Sequence, residues 1–226
     1  MSTDPQRRAL LVLPLAAALP PLTGATTAPA VATAAAAKTL RVMFNSAETS
    51  FDPARIIDLY SRTVTAHIFE SLYGYDALAR PPKVVPSLAA GLPEASDNFQ
   101  VWTVRLRPGV FFADDPAFKG QKRELVADDL LYAFKRVVDP ANKSPAATTV
   151  LDVGFVGLAE ARQLALSSRK PFDYSAPIAG LKALDKHTLR FTLKAPRPRF
   201  IQTLCAPDLY GAQEIEEHTS ELQSPC

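Results

Sequence analysis

The sequence has few cysteines, few histidines and little net charge, and each shortage narrows the functions it can support. Cys205 and Cys226 are its two cysteines, and no metal-type spacing joins them to the three histidines. The formal net charge is +2 at pH 7, and the lysines and arginines are scattered along the chain. The sequence therefore lacks the basic patch that nucleic-acid binding requires. Nine glycines against twenty prolines indicate many short elements.

The short motifs of common enzyme classes are also lacking. The sequence contains no Gly-x-Ser-x-Gly nucleophile elbow and no glycine-rich phosphate loop. His67, His187 and His218 have no partner at zinc-site spacing, so each is interpreted as a packed or surface histidine. The paired acids Asp114-Asp115 and Asp128-Asp129 fit either general acid-base chemistry or structural roles. The second pair lies in the first turn of a predicted helix, which favours the structural role because the helix dipole stabilises negative charge there.

The first 37 residues are interpreted as an export signal with an alanine-rich leader. Arg7 and Arg8 precede an apolar run from Ala9 to Leu22, which is too short and too proline-broken to span a bilayer. The arginine pair is compatible with a twin-arginine signal, although general secretory signals carry such pairs too. No cysteine follows the run, which excludes a lipoprotein anchor. We expect a soluble periplasmic protein; the alternative is a disordered leader retained on a cytosolic one.

The stretch from Val101 to Pro140 carries the clearest secondary-structure pattern. Apolar and polar side chains alternate over residues 101–106, which predicts a strand, and Pro108-Gly109 predicts a turn into a partner strand at 110–112. Five later apolar residues at helical spacing predict a helix that begins near Ala127 and ends before Pro140. These five residues are Leu130, Leu131, Phe134, Val137 and Val138.

Weaker patterns lie on both sides of this stretch. The elements they predict are a strand over 38–44, a polar loop over 45–53, a helix over 59–72 closed by Gly74, a helix over 156–166, and a hairpin with strands at 178–184 and 188–193.

Residues 213–226 do not share these patterns. They have no apolar period, and Glu217 to Ser224 resembles a translated sequencing adaptor. On that interpretation the tail is not native and Cys226 does not belong to the protein; the alternative is an ordinary polar tail. Cys205 would then be the single native cysteine, which leaves no internal disulfide, and its apolar neighbours favour a buried small side chain.

Several segments together resemble the extracytoplasmic solute-binding proteins of family 5, the peptide/nickel class that serves ABC importers. The resemblance covers about Lys38 to Pro207, in the order found in that family. The segments that carry it are Ser50-Phe51-Asp52-Pro53, Ile68 to Asp76, Val85 to Ala89, Trp102 to Phe112, Val126 to Leu130, and Leu184 to Phe191. The stretch from Ala113 to Glu124 departs from the family, because it is longer than the turn that usually follows the strand.

The resemblance implies an α/β fold of the type II periplasmic-binding-protein class (cluster C), with two lobes that close on a ligand. It implies that residues 38–50 and 181–212 belong to the first lobe and that residues 51–180 form an inserted α+β domain. Such proteins are more than twice as long as this chain. The second lobe is therefore expected to follow residue 212 and to be missing here.

The function that the resemblance implies is that of a periplasmic receptor without catalysis or a cofactor. It would capture a peptide or a similar small solute and deliver it to ABC permease subunits in the inner membrane, acting as a monomer. Family peptide binders line the cleft with the loop after the first strand, so the candidate ligand-binding residues are Ser46, Glu48, Thr49 and Ser50. The alternative for each is ordinary loop capping. Two other functions stay open: an exported hydrolase with catalytic residues in the missing part, and a periplasmic sensor or chaperone partner.

Overall fold

The computed structural model describes residues 39–168 and 170–206, together with the backbone of 212–213. The chain divides into two compact units, Met1–Val42 and Met43–Cys226. In the first unit, the described residues 39–42 are exposed and have no regular secondary structure. The second unit contains the helices and strands. The predicted leader over 1–37 and the predicted non-native tail, apart from Gln213, lie outside the described residues.

The second unit is built from short helices and strands. In chain order they are α1 (Leu59–Thr65), β1 (Phe69–Glu70), β2 (Tyr73–Asp76), β3 (Lys83–Pro86), β4 (Glu94–Ser96), β5 (Val101–Arg105), α2 (Ala127–Val138), α3 (Ala147–Asp152), α4 (Leu158–Ser168), β6 (Leu181–Asp185), β7 (Thr188–Thr192), α5 (Phe200–Thr203) and β8 (Ala212–Gln213).

Four of these strands form an antiparallel sheet in the order β4-β5-β7-β6. In its centre, Trp102 of β5 lies opposite Phe191 of β7, and Val104 lies opposite Leu189. All four side chains are buried, so the alternation in both strands places one face of the sheet in the core. The predicted hairpin near residue 185 is confirmed, with β6 and β7 as its strands.

The partner predicted for β5 is wrong. Residues 110–112 do not pair with β5; instead the Phe112 amide donates to the Arg123 carbonyl at 2.9 Å, and the Leu125 amide donates to the Val110 carbonyl at 2.8 Å. β5 pairs along its whole length with β7, because that register buries large apolar side chains from both strands. The predicted turn is present, and Gly109 adopts a φ of 76° there.

Helix α2 agrees with its prediction, since it begins at Ala127 and ends two residues before Pro140. The five apolar residues of its predicted stripe are all buried. Phe134 contacts Phe155 and Phe191, with ring centroids 5.3 Å and 5.4 Å apart. α2 therefore packs on the sheet through this stripe. The helix predicted over 156–166 is also confirmed, as α4.

Two predictions near the start of the chain are wrong. Residues 39–44 form no strand; a strand needs a neighbour for its backbone hydrogen bonds, and the ladders of the described residues do not include this segment. The helix predicted over 59–72 ends at Thr65. Beyond it the backbone enters β1 and β2, and Gly74 pairs with Val85 instead of closing a helix.

The sheet crosses the predicted domain boundary near residue 180. β6 and β7 follow that boundary, yet β7 pairs with β5, which precedes it. The buried side chains of both parts belong to one core cluster. The assignment of segments to lobes stays a prediction. Within the described part of the chain, no helix combines the length and the apolar character needed to cross a bilayer.

Candidate functional site

The predicted ligand-binding loop, residues 45–50, lies next to the first turn of α1. Before the loop, the Phe44 ring contacts the Tyr60 ring at a centroid distance of 5.1 Å. At its end, the Thr49 amide donates to the Ser61 hydroxyl oxygen at 2.9 Å, and the Ser50 amide donates to the same oxygen at 3.4 Å. Ser61 is fully buried. Both ends of the loop therefore contact α1.

Asp58 joins the loop to the helix with its two carboxylate oxygens. One oxygen caps α1 by accepting the Ser61 amide at 2.8 Å, and the other accepts the Thr49 hydroxyl. The Ser61 amide and the Thr49 hydroxyl hold the pKa of Asp58 well below its usual range. The carboxylate is therefore ionised at neutral pH and keeps both bonds.

The four predicted residues separate into two pairs. The backbones of Thr49 and Ser50 are bound to Ser61, which fits the capping alternative for these two. Ser46 and Glu48 are exposed. The Ser46 hydroxyl donates to the carbonyl of Ala47 at 3.4 Å, and Glu48 makes no hydrogen bond or ion pair with the described residues. Ser46 and Glu48 thus differ from Thr49, which is also exposed, in making no hydrogen bond to α1 or its N-cap within the described residues.

Beyond the loop, Asp52 connects it to helix α2. The Asp52 amide donates to the Ser50 hydroxyl oxygen at 3.0 Å, and the Asp52 carboxylate accepts the Ala54 amide at 3.1 Å. The same carboxylate accepts a hydrogen bond of 2.8 Å from the Arg136 guanidinium. Both ionic side chains are half-buried, so this pair is screened by solvent less than a surface pair.

Arg136 also borders a groove of about 790 Å³ along α2. The groove is lined by apolar and aromatic side chains together with several charged ones. The lining includes Phe69, Phe112, Phe118, Leu131, Tyr132, Val137 and Tyr174, with Arg123, Asp128, Asp129 and Lys135.

Most charged groups of the groove already have partners. Arg123 forms a two-pronged ion pair with Asp129. The Lys135 amine donates to the carbonyls of Tyr174 and Ala176 at 2.7 Å and 3.1 Å, and burial lowers its pKa. The Tyr174 hydroxyl donates to Asp139 at 2.7 Å, and burial followed by this carboxylate raises its pKa. These charged and polar side chains of the groove are thus engaged in contacts within the fold.

The remaining candidate groups have structural positions. Asp128 and Asp129 lie in the first turn of α2 as predicted, and Asp129 accepts the Val126 amide at 2.9 Å, which supports the structural role for that residue. Asp115 accepts the Ala117 amide at 2.8 Å. His187 contacts Glu124 at 2.9 Å.

The described cysteine and histidines do not form a metal site. Cys205, predicted to be a buried small side chain, is half-buried and packs against the core, and burial raises the pKa of its thiol. His67 is exposed. Among the described residues, no three histidine, cysteine or acidic side chains come together as metal ligands.

Three residues of this region were not found from the sequence. Asp58 and Ser61 hold the loop, and Arg136 holds Asp52. An acidic residue directly before a helix is a recognised N-cap signal, so Asp58 could have been identified. The pairing of Asp52 with Arg136 joins positions 84 residues apart, and no local pattern announces it.

The chain is similar in sequence to a family of known proteins. A family model described as bacterial extracellular solute-binding proteins, family 5 Middle, matches residues 83–220. Di/tripeptide-binding protein 2 of Pseudomonas aeruginosa is 34% identical over 187 residues, which are 82% of this chain and 31% of that protein. The periplasmic oligopeptide-binding protein OppA of Escherichia coli is 31% identical over 181 residues, which are 79% of this chain and 29% of that protein. The chain spans less than a third of the length of these curated relatives.

A solved structure has the same fold over most of the described region. The pheromone receptor PrgZ, whose structure was determined together with its mode of peptide binding, superposes with a TM-score of 0.56 at 26% identity. The match covers 78% of this chain and 30% of the PrgZ chain.

Proposed function

This chain belongs to the bacterial extracellular solute-binding proteins of family 5, and from that membership we propose that the whole protein binds peptides for an ABC importer. The observation that carries the proposal is the 34% identity to a di/tripeptide-binding protein across 82% of this chain. The second relative, a periplasmic oligopeptide-binding protein, supports the same ligand class. The protein would work in the periplasm as a monomer and pass its ligand to the permease.

We propose that binding is non-covalent and depends on closure of two lobes around the peptide. Residues 38–50 and 181–212 would contribute to the first lobe, and residues 51–180 would form the inserted domain. The loop 45–50 would line the cleft. Ser46 and Glu48 are its best contacts because they are exposed and, unlike exposed Thr49, make no hydrogen bond to α1 or its N-cap within the described residues. A carboxylate accepts hydrogen bonds from peptide amides or an ammonium group.

Thermal unfolding of the whole protein with peptides tests the ligand class. A ligand at about 100 times its Kd adds about 2.7 kcal/mol to the free energy of unfolding. We expect di-, tri- or oligopeptides to raise the Tm, whereas single amino acids and sugars leave it unchanged. Stabilisation by a sugar or another non-peptide solute alone would contradict the proposal.

Substitution of Glu48 tests the loop. We expect Glu48→Gln to weaken peptide binding about tenfold, because a hydrogen bond to a charged group contributes about 1.5–3 kcal/mol. Asp114→Asn is the matched control, since it removes an exposed carboxylate outside the loop. Titration calorimetry measures both. If both variants bind peptide with the affinity of the wild type, Glu48 does not contact the ligand.

The 226-residue chain by itself should bind no peptide measurably. It spans less than a third of its relatives' length. A binding site normally buries most of the ligand's surface, and a site that covers only one side of the peptide would leave much of that surface exposed to water. Micromolar binding to this chain alone would show that its own surface holds the site.

A further inference from the structure

Ser61 is a fully buried serine whose hydroxyl oxygen accepts hydrogen bonds from outside its own helix. Its backbone amide is already satisfied by the N-cap residue Asp58. The hydroxyl oxygen accepts the amides of Thr49 and Ser50, which precede it by 12 and 11 residues. The Thr49 hydroxyl lies 3.4 Å from the same oxygen. One buried atom thus collects three polar groups of the loop.

The loop is fixed on both sides of its free part. The ring contact between Phe44 and Tyr60 holds the entry, and Ser61 holds the exit. The ion pair of Asp52 with Arg136 fixes the backbone that follows. Within the loop 45–50, residues 45–48 make no contact to α1 or α2 in the hydrogen bonds and ring contacts of the described residues, and these include exposed Ser46 and Glu48.

We propose that Ser61 is a positioning residue for ligand binding. It touches no ligand; its hydroxyl holds the exit of the loop, so that Ser46 and Glu48 are presented in one arrangement. This inference rests on the proposed function. An ordered loop loses less conformational entropy on binding than a mobile one, so removal of the anchor weakens affinity.

The test compares two buried hydroxyls of the same helix in the whole protein. Ser61→Ala removes the loop anchor. Thr65→Val is the matched control, because Thr65 is also fully buried but its hydroxyl donates to the Arg62 carbonyl, at 3.3 Å, within α1. Ser61→Cys is a second variant that keeps the packing and replaces the oxygen with a weak acceptor. Peptide affinity and amide hydrogen exchange of ligand-free protein are measured for each.

We expect Ser61→Ala to accelerate exchange of the Thr49 and Ser50 amides and to weaken peptide affinity about tenfold, as the ordering of one or two residues would require. Ser61→Cys should change both in the same direction. Thr65→Val should leave the exchange of these two amides unchanged and the affinity within about twofold of wild type.

Two results would overturn the inference: affinity of the Ser61 variants equal to that of Thr65→Val, or unchanged exchange at residues 49–50. If the wild type binds no peptide, the proposed function fails. The exchange measurement then still decides whether Ser61 holds the loop.

Discussion

At the scale of single residues, Glu124 connects three separate segments. Its carboxylate accepts the Lys186 amine and the Gly109 amide, and it contacts the His187 ring. Lys186, followed by Gly109 and His187, lowers the pKa of Glu124 from 4.5 to about 2. The turn at 108–109 and the β6–β7 turn are therefore joined by a carboxylate that stays ionised far into the acid range.

This carboxylate makes stability depend on pH. Because its pKa is depressed in the folded state, its contribution is complete above the ordinary value of 4.5 and is lost as the pH falls towards about 2. We expect Glu124→Gln to lower the Tm at pH 7, and the difference from wild type to shrink between pH 4.5 and pH 2. Thermal unfolding across this pH range measures the Tm difference.

Asp114→Asn is the control for the Glu124 prediction. Asp114 is exposed and makes no hydrogen bond or ion pair within the part of the chain that the structure describes. Its Tm should follow that of the wild type at every pH. A Tm difference for Glu124→Gln that is the same at pH 7 and pH 2 would show that the ionised carboxylate is not the cause of the stabilisation.

At the scale of elements, the two adjacent acidic residues in the first turn of α2 differ in their contacts. Asp129 accepts the Val126 amide and pairs with Arg123, whereas Asp128 is exposed. We expect Asp129→Ala to lower the free energy of unfolding by about 0.5–2 kcal/mol, the usual effect of losing a cap. Asp128→Ala should change it by less than about 0.5 kcal/mol. Equal losses in urea denaturation would mean that helix dipole charge, not capping, is the cause.

Gly180 is required by the close approach of neighbouring backbone at the edge of the sheet. A Cβ there would lie 2.4 Å from the Val156 nitrogen and 2.8 Å from the Thr192 oxygen. We expect Gly180→Ala to lower the free energy of unfolding by about 1–3 kcal/mol, the usual cost of overpacking. Gly91→Ala is the control, because its Cβ would meet no atom within 4 Å. Unchanged stability of Gly180→Ala would show that the backbone can separate there.

Elements with a sustained local period could be predicted from the sequence, and pairings between distant segments could not. The i, i+4 and i+7 spacing of Leu130, Phe134 and Val137 specified α2 because its buried face lies within one helix. The alternation at Trp102 and Val104 identified β5, but its partner β7 follows some 85 residues later in the chain. The apolar spacing at the end of α1 was misleading, since tertiary pairing of β2 overrode helix propensity there.

In the candidate site, too, the position of the loop could be predicted from the sequence but its contacts with α1 could not. The family resemblance located the loop 45–50, and the structure placed Thr49 and Ser50 on α1 through bonds that depend on three-dimensional proximity to Ser61. A buried serine in a helix gives no sequence signal that its hydroxyl serves a loop. Ser46 and Glu48 stay predictions, and they are preferred because they are exposed and are not bound to Ser61 as Thr49 and Ser50 are.

At the scale of the whole molecule, the likeness to solved relatives confirms the predicted α/β class of type II periplasmic binding proteins for the region that this chain covers. That region is 30% of the PrgZ chain. Most of the described core, including the sheet and α2, is scaffold, and the polar loop beside α1 is the part proposed to meet a ligand. The proposed function therefore concerns the whole protein, which we propose binds peptides without cleaving them.

Equilibrium titration of the whole protein with a series of peptides, followed by chromatography of the recovered peptide, distinguishes peptide binding from peptide cleavage. We expect saturable one-to-one binding and recovery of the peptide intact. Cleaved fragments in the recovered material, or the absence of binding to any peptide, would contradict the proposed function.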